Sequence, residues 1–194
     1  MRRLDELGLR ETRRETLARA SGRTLEIGSG TGSNLSLYPA DLEELVLAEP
    51  DPHMQKALQR RIEEDGASVA EVVQAPAEEL PFPDSGFDCV TCTMVLCTVP
   101  DPAEALVEVA RVLKPGGRFL FMEHVRSEDP KFARRQDRLE KPWRFIADGC
   151  HCNRDSLATI EASPLEVETF KRGQMPAGPL FMRPLVYGSA VLPA

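Results

Sequence analysis

Three glycines at alternate positions, Gly28, Gly30 and Gly32, punctuate the stretch LEIGSGTGSN at residues 25–34, and one acid, Glu26, stands in the apolar run that leads into them. Glycine in such a turn permits positive φ, or lets a ligand approach closer than a side chain would allow. A glycine-rich turn from strand to helix is a common cradle for a nucleotide-like molecule. A second acid, Glu49, follows the apolar segment ELVLA. It stands roughly 20 residues beyond the turn, where a carboxylate can accept from ribose hydroxyls. The spacing is G-x-G-x-G, not the dinucleotide G-x-G-x-x-G, and no lysine follows as in a phosphate-gripping loop.

Sulfur and imidazole supply the other chemistry. Five cysteines are present, Cys89, Cys92, Cys97, Cys150 and Cys152, an odd number that reads as free thiols. The triplet Cys150-His151-Cys152 invites a metal reading. Zinc pairs are spaced C-x₂₋₄-C, and a C-H-C triplet without a second pair matches that poorly, so no metal is expected. His124 closes the apolar segment RFLFME and is the foremost general-base candidate.

These residues need a frame. The chain has 194 residues, 42% hydrophobic and 28% charged, enough for one domain, 1–194, with its own core. A net charge of −7 argues against a broad nucleic-acid footprint. No apolar run approaches the roughly 20 residues of a membrane-spanning helix. The start, MRRLDELGLRETRRET, lacks the apolar core of a secretory signal, so a cytoplasmic protein is expected.

Periodicity predicts a helical segment within 2–20, including Leu4, Leu7 and Leu17, and strands at 24–27, 44–48, 69–74, 87–93 and 118–123. Helices are expected at 33–38, 52–64, 102–113, 132–145 (broken near Pro142) and, capped by Asn153, 154–162. Two further strands, 165–170 and 184–192, have no helix between them. Strands alternating with helices imply an α/β fold, a mostly parallel sheet of about seven strands with helices on both faces and an antiparallel pair at one edge. Ligands of such folds bind outside the carboxyl ends of the strands.

Two more segments, PAEELPFPDSGFD at 76–88 and LKPGGRFLF at 113–121, follow the glycine turn and Glu49 in order. With them the chain resembles the class I S-adenosylmethionine-dependent methyltransferases of the type 11 group, over nearly its whole length. The resemblance implies roles residue by residue. Gly28, Ser29 and Gly30, with Gly32, would lie against the methionine part of S-adenosylmethionine, and Glu26 near its ammonium. Glu49 would take the ribose hydroxyls, with Pro50 and Met54 beside the adenine and Ala77 and Glu78 at its edge. Cys92 and Thr93 would line the methionine moiety. That family often has an acid where this chain has Pro76. CTMVLCTV, FMEHV, DGCHCNRDS and RPLVYGSAV are similar to the alkyl thiol methyltransferase branch. The implied reaction is in-line transfer of a methyl group to a small-molecule acceptor, a thiol in that branch. His124 and Asp148 are the catalytic candidates, with His151 flanking, and Trp143 and Phe145 are candidate walls of the acceptor site. An oxygen or nitrogen acceptor, a nicotinamide oxidoreductase and a non-catalytic cofactor-binding module are the alternatives; the glycine spacing disfavours the oxidoreductase.

Overall fold

The computed structural model describes residues 5–67, 70–147 and 149–194, so the expectations attached to Leu4, Val69 and Asp148 lie outside the described residues. Seven strands form one sheet: β1 (Arg23–Ile27), β2 (Glu44–Ala48), β3 (Ala70–Val73), β4 (Phe87–Thr93), β5 (Leu113–His124), β6 (Glu166–Gln174) and β7 (Pro184–Val191). Their order is β3-β2-β1-β4-β5-β7-β6. The first five are parallel, and β7 lies between β5 and β6, antiparallel to both. The expected antiparallel pair is present, with the last strand inside the sheet and β6 at the edge.

The strands are apolar because most are covered on both faces. Leu25, Ile27, Val46, Val90, Phe119 and Phe121 pack with helices α3 (Pro102–Val112) and α5 (Ser156–Glu161). Leu45, Leu47, Cys89 and Leu120 pack on the opposite face with Leu58 and Ile62 of α2 (Pro52–Asp65). Two further helices are α1 (Arg10–Leu17) and α4 (Pro130–Ile146). Helices α2 and α3 begin alike: Asp51 and Asp101 each accept two backbone N–H groups, and a proline follows at the first helical position. Gly66, at φ 66°, ends α2 in the left-handed conformation that glycine adopts without strain. Among the described residues no helix is long and apolar enough to cross a membrane.

Several local expectations change. The helix expected over 33–38 is a single 3-10 turn, Leu35–Leu37. Pro39 follows too closely for an α-helix to propagate beyond its nucleus. Helix α4 runs through Pro142, whose ring removes one hydrogen bond without ending the helix. Asp155, not Asn153, caps α5; the Asn153 side chain donates to Asp137 instead. The KPGG turn lies within β5 as a bulge, so the pairing with β4 passes from Phe87–Leu113 to Cys89–Arg118.

At the amino end of β4, the fully buried Phe87 ring meets Phe82 edge-on at 5.0 Å, and the Arg23 guanidinium lies 4.4 Å from its centroid. Phe87→Ala should lower the unfolding free energy by about 3–5 kcal/mol. Urea denaturation should show this as a reduced midpoint at unchanged slope; an unchanged midpoint would mean the ring is not part of the core.

Candidate active site at the carboxyl edge of the sheet

The strand order reverses between β1 and β4, and the glycine turn leaves β1 at that switch point. Gly28, Gly30 and Gly32 all have positive φ, at 61°, 55° and 80°. Their surroundings differ. A Cβ on Gly28 would come within 2.6 Å of Val95, and one on Gly32 within 2.8 Å of Leu35 and Leu58. A Cβ on Gly30 would meet nothing within 4 Å. The outer glycines therefore let the turn pack, and the middle one borders open space. Glu49 is buried, and its carboxylate accepts the Gly30 amide at 2.7 Å and the Asp51 amide at 3.0 Å. It ties the turn after β1 to the turn after β2.

Beside the turn lies a buried polar network. Glu26 accepts from Asn34 Nδ2 at 2.8 Å and from the Tyr38 hydroxyl at 2.9 Å. Tyr38 also pairs with Thr91, and Asn34 Nδ2 donates to Thr93 Oγ1. Arg13 of α1 reaches in, its Nη1 donating to Asn34 Oδ1 at 3.0 Å and Thr93 Oγ1 at 2.8 Å. Burial pushes the Glu26 carboxyl up to about 7, although Tyr38, Asn34 and the Arg13 charge each favour its anion. The network is poised between a neutral and a charged carboxyl near physiological pH.

The remaining cofactor candidates separate by position. Pro50 and Met54 are exposed beside Glu49. Ala77 is buried in the core, and Glu78 accepts the Asp101 amide at the start of α3. The alternation of β4 sends Thr91 and Thr93 towards Glu26 and Asn34, and Cys92 to the opposite face. There the Cys92 thiol donates to Glu123 Oε1 at 3.3 Å, so its side chain stands apart from the Glu26 network.

On the β5 side, Glu123 is fully buried and accepts the amides of Val95, Leu96 and Cys97. Burial raises its pKa. It fixes the loop after β4, which starts from Met94 at φ 62°. His124 Nε2 lies 2.7 Å from Cys150 Sγ. The neighbouring Cys97 thiol, together with His124, draws the Cys150 thiol well below its ordinary range. The ligand atoms of Cys97, His124 and Cys150 all lie within 4.8 Å of one another. The C-H-C triplet itself disperses: His151 pairs with Glu140, and Cys152 donates to the Gln136 carbonyl. Trp143 is half-buried against Phe181, whereas Phe145 is exposed and walls nothing. Asp148 lies outside the described residues.

Arg13, Asn34, Tyr38 and Glu123 were not legible as site residues. For Arg13 a signal existed: Leu9, Arg13 and Leu17 fall at i, i+4 and i+8, and all three are buried. A charged residue in an apolar helical stripe marks a buried polar partner.

The methyltransferase domain family matches residues 25–121. The chain is 36% identical over 170 residues to thiol S-methyltransferase TMT1A of Homo sapiens, covering 86% of this chain and 69% of that protein. It is 36% identical over 180 residues to thiol S-methyltransferase TMT1B of the same organism, covering 90% and 73%. Its fold is similar to the crystal structure of a methyltransferase-like protein from Bacillus halodurans, with a TM-score of 0.78 at 20% identity over 96% of this chain and 99% of that one.

The three glycines make a graded test. Gly28→Ala forces a Cβ into Val95 at positive φ and should destabilise the fold by about 2–4 kcal/mol. Gly30→Ala carries the conformational cost alone, about 1–2 kcal/mol. Thermal unfolding of both variants should preserve that order; equal losses would refute the different roles given to the two positions.

Proposed function

The chain belongs to the S-adenosylmethionine-dependent methyltransferase family, and on that premise we propose that it methylates a small thiol, using the carboxyl edge of β1, β2 and β4 for the cofactor and that of β5 for the acceptor. The acceptor class rests on the likeness to the two human thiol S-methyltransferases across 86% and 90% of the chain.

S-adenosylmethionine supplies a methyl group already activated on a sulfonium. The residues fit such a ligand. Gly30 borders open space, so the backbone of Gly28, Ser29 and Gly30 is available for close approach, with Gly32 holding the turn. Glu49 keeps acceptor capacity for two ribose hydroxyls beyond its two amides. Pro50 and Met54 would flank the adenine, with Ala77 and Glu78 at its edge. Glu26 and Arg13 form a buried pair of opposite charge, complementary to the two ends of an amino acid: Glu26 for the ammonium, Arg13 for the carboxylate. Thr93 and the Cys92 backbone complete that wall.

Transfer from a sulfonium to a thiolate removes both charges, so a dry, apolar surround favours it. Met94, Met122, Met182, Trp143 and Phe181 supply one beside Cys150. His124 is engaged with Cys150, so it does not face the acceptor as an isolated imidazole base. The free thiols support a cytoplasmic setting.

The test is a panel of small thiols, amines, phenols and carboxylates incubated with S-adenosylmethionine. Thiols should turn over, and the cofactor at about 100 times its Kd should stabilise the protein by about 2.7 kcal/mol. Turnover of amines or phenols without thiols would overturn the acceptor class. Absence of cofactor stabilisation would overturn the binding assignment.

The Glu26 carboxyl adds a pH dependence. Its folded pKa, about 7, lies above the ordinary carboxyl value of 4.5, so the folded protein holds the proton more tightly than the unfolded chain. This group's contribution to stability therefore falls as pH rises from 4.5 to about 7. Cofactor binding has the opposite sign, because an ammonium favours the ionised carboxyl. Affinity should rise with pH towards a plateau above about 7, with proton release below it, and Glu26→Gln should flatten the profile. Calorimetric Kd values across that range check it; a profile unchanged by Glu26→Gln would remove Glu26 from the ammonium site.

A further inference from the structure

We propose that Cys97, His124 and Cys150 form a three-ligand site for a soft divalent cation of the zinc class, whose fourth position takes the acceptor thiol. The second half of this inference rests on the thiol reading above; the first half does not.

The ligands come from three separate places: the loop after β4, the last residue of β5, and the segment between α4 and α5. Two sulfurs and one imidazole nitrogen within 4.8 Å of one another are a soft donor set suited to zinc. Two thiolates with a neutral imidazole balance the charge of a divalent ion. Zinc held at about 2.3 Å from sulfur and about 2.0 Å from nitrogen spaces its ligand atoms about 3.5–3.8 Å apart. The 2.7 Å contact between His124 Nε2 and Cys150 Sγ must open by about 1 Å to admit the ion, a shift within reach of the half-buried Cys150 segment.

The rest of the cage is rigid. Glu123 holds the Cys97 amide, Arg154 donates to the Leu96 and Val99 carbonyls of the same loop, and the His151 amide donates to the Cys97 carbonyl. His124 Nδ1 is buried with no hydrogen-bond partner among the described residues, and Nε2 is the ring nitrogen that faces Cys150 Sγ, so Nε2 is the ligating nitrogen. Three protein ligands with one position open is the pattern of a catalytic zinc rather than a structural one.

The open position gives the site its use. An acceptor thiol bound there releases its proton to solvent and ligates as thiolate. A lone pair of that sulfur then forms the new bond to the methyl carbon, while the sulfonium–methyl bond breaks and leaves its pair on the departing sulfur. Both products are neutral thioethers, weaker ligands than thiolate, and so dissociate.

Cobalt(II) added to chelator-treated full-length protein reads the site directly. One ion per chain should bind, with thiolate-to-cobalt charge-transfer absorption and the visible bands of tetrahedral cobalt. Cys97→Ser and Cys150→Ser should each weaken binding by more than about 100-fold, beyond the 10–100-fold typical of changes outside the ligand set. Cys152→Ser should bind as the parent does, and thermal unfolding verifies that each variant is folded. A small thiol should shift the visible bands. Failure to bind, or binding unaltered in both folded ligand variants, overturns the metal site. Binding with a spectrum that thiols leave untouched overturns the open position. Cobalt binding by these ligands in a protein that methylates only amines or phenols leaves the metal site standing and sinks the thiol reading instead.

Discussion

A carboxylate sealed from water must find its hydrogen bonds within the chain, and Glu123 takes them from one short loop. Its oxygens accept the Val95, Leu96 and Cys97 amides and the Cys92 thiol. Three consecutive amides can converge on one carboxylate only if the chain turns sharply, and Met94 makes that turn at φ 62°, a conformation costly for a side chain of its kind. Everything on the carboxyl edge leans on this clamp. Val95, held by it, fills the space that only a glycine at 28 leaves open. Cys97, held by it, is presented to His124 and Cys150. One buried acid on β5 thereby sets both the floor of the glycine turn and one corner of the sulfur–imidazole cluster.

The two halves of the edge differ in chemistry. Around β1, buried groups are charged or strongly polar: Glu26, Asn34, Arg13, Thr93 and, one turn away, Glu49. These are groups for holding a charged, hydroxyl-rich molecule still. Around the end of β5 they are thiols, an imidazole, methionines and aromatic rings. Such surroundings favour a polarisable nucleophile losing charge. The division runs across the sheet: the polar groups gather at the ends of β1 and β4, and the sulfur–imidazole cluster at the end of β5.

The family match ends at residue 121, before His124, Trp143 and Cys150. The glycine turn, Glu26 and Glu49 thus fall within the family match, while the sulfur–imidazole cluster joins Cys97 from inside it to His124 and Cys150 from beyond it. Fold likeness at 20% identity speaks for the fold alone.

Periodicity and punctuation made the frame legible. Strand and helix order, the Asp-Pro starts of α2 and α3, the glycine turn and Glu49 are all written in residues close together in the chain, where local sterics and hydrogen bonds act. The helix expected over 33–38 failed because Pro39 cut it short, a local competition that pattern alone did not resolve. The Cys150-His151-Cys152 triplet, whose spacing matches a zinc site poorly, disperses: neighbours in sequence, its side chains go to His124, Glu140 and the Gln136 carbonyl. Sequence by itself determined the class of sheet and the order of its strands and helices, because burial periodicity and turn chemistry are short-range. Only the tertiary structure decided that Arg13 joins Asn34 and Thr93, that Glu123 clamps the loop after β4, and that Cys97, His124 and Cys150 meet. Those contacts span up to 80 residues of chain, and their partners are chosen by how the helices and loops pack against the sheet.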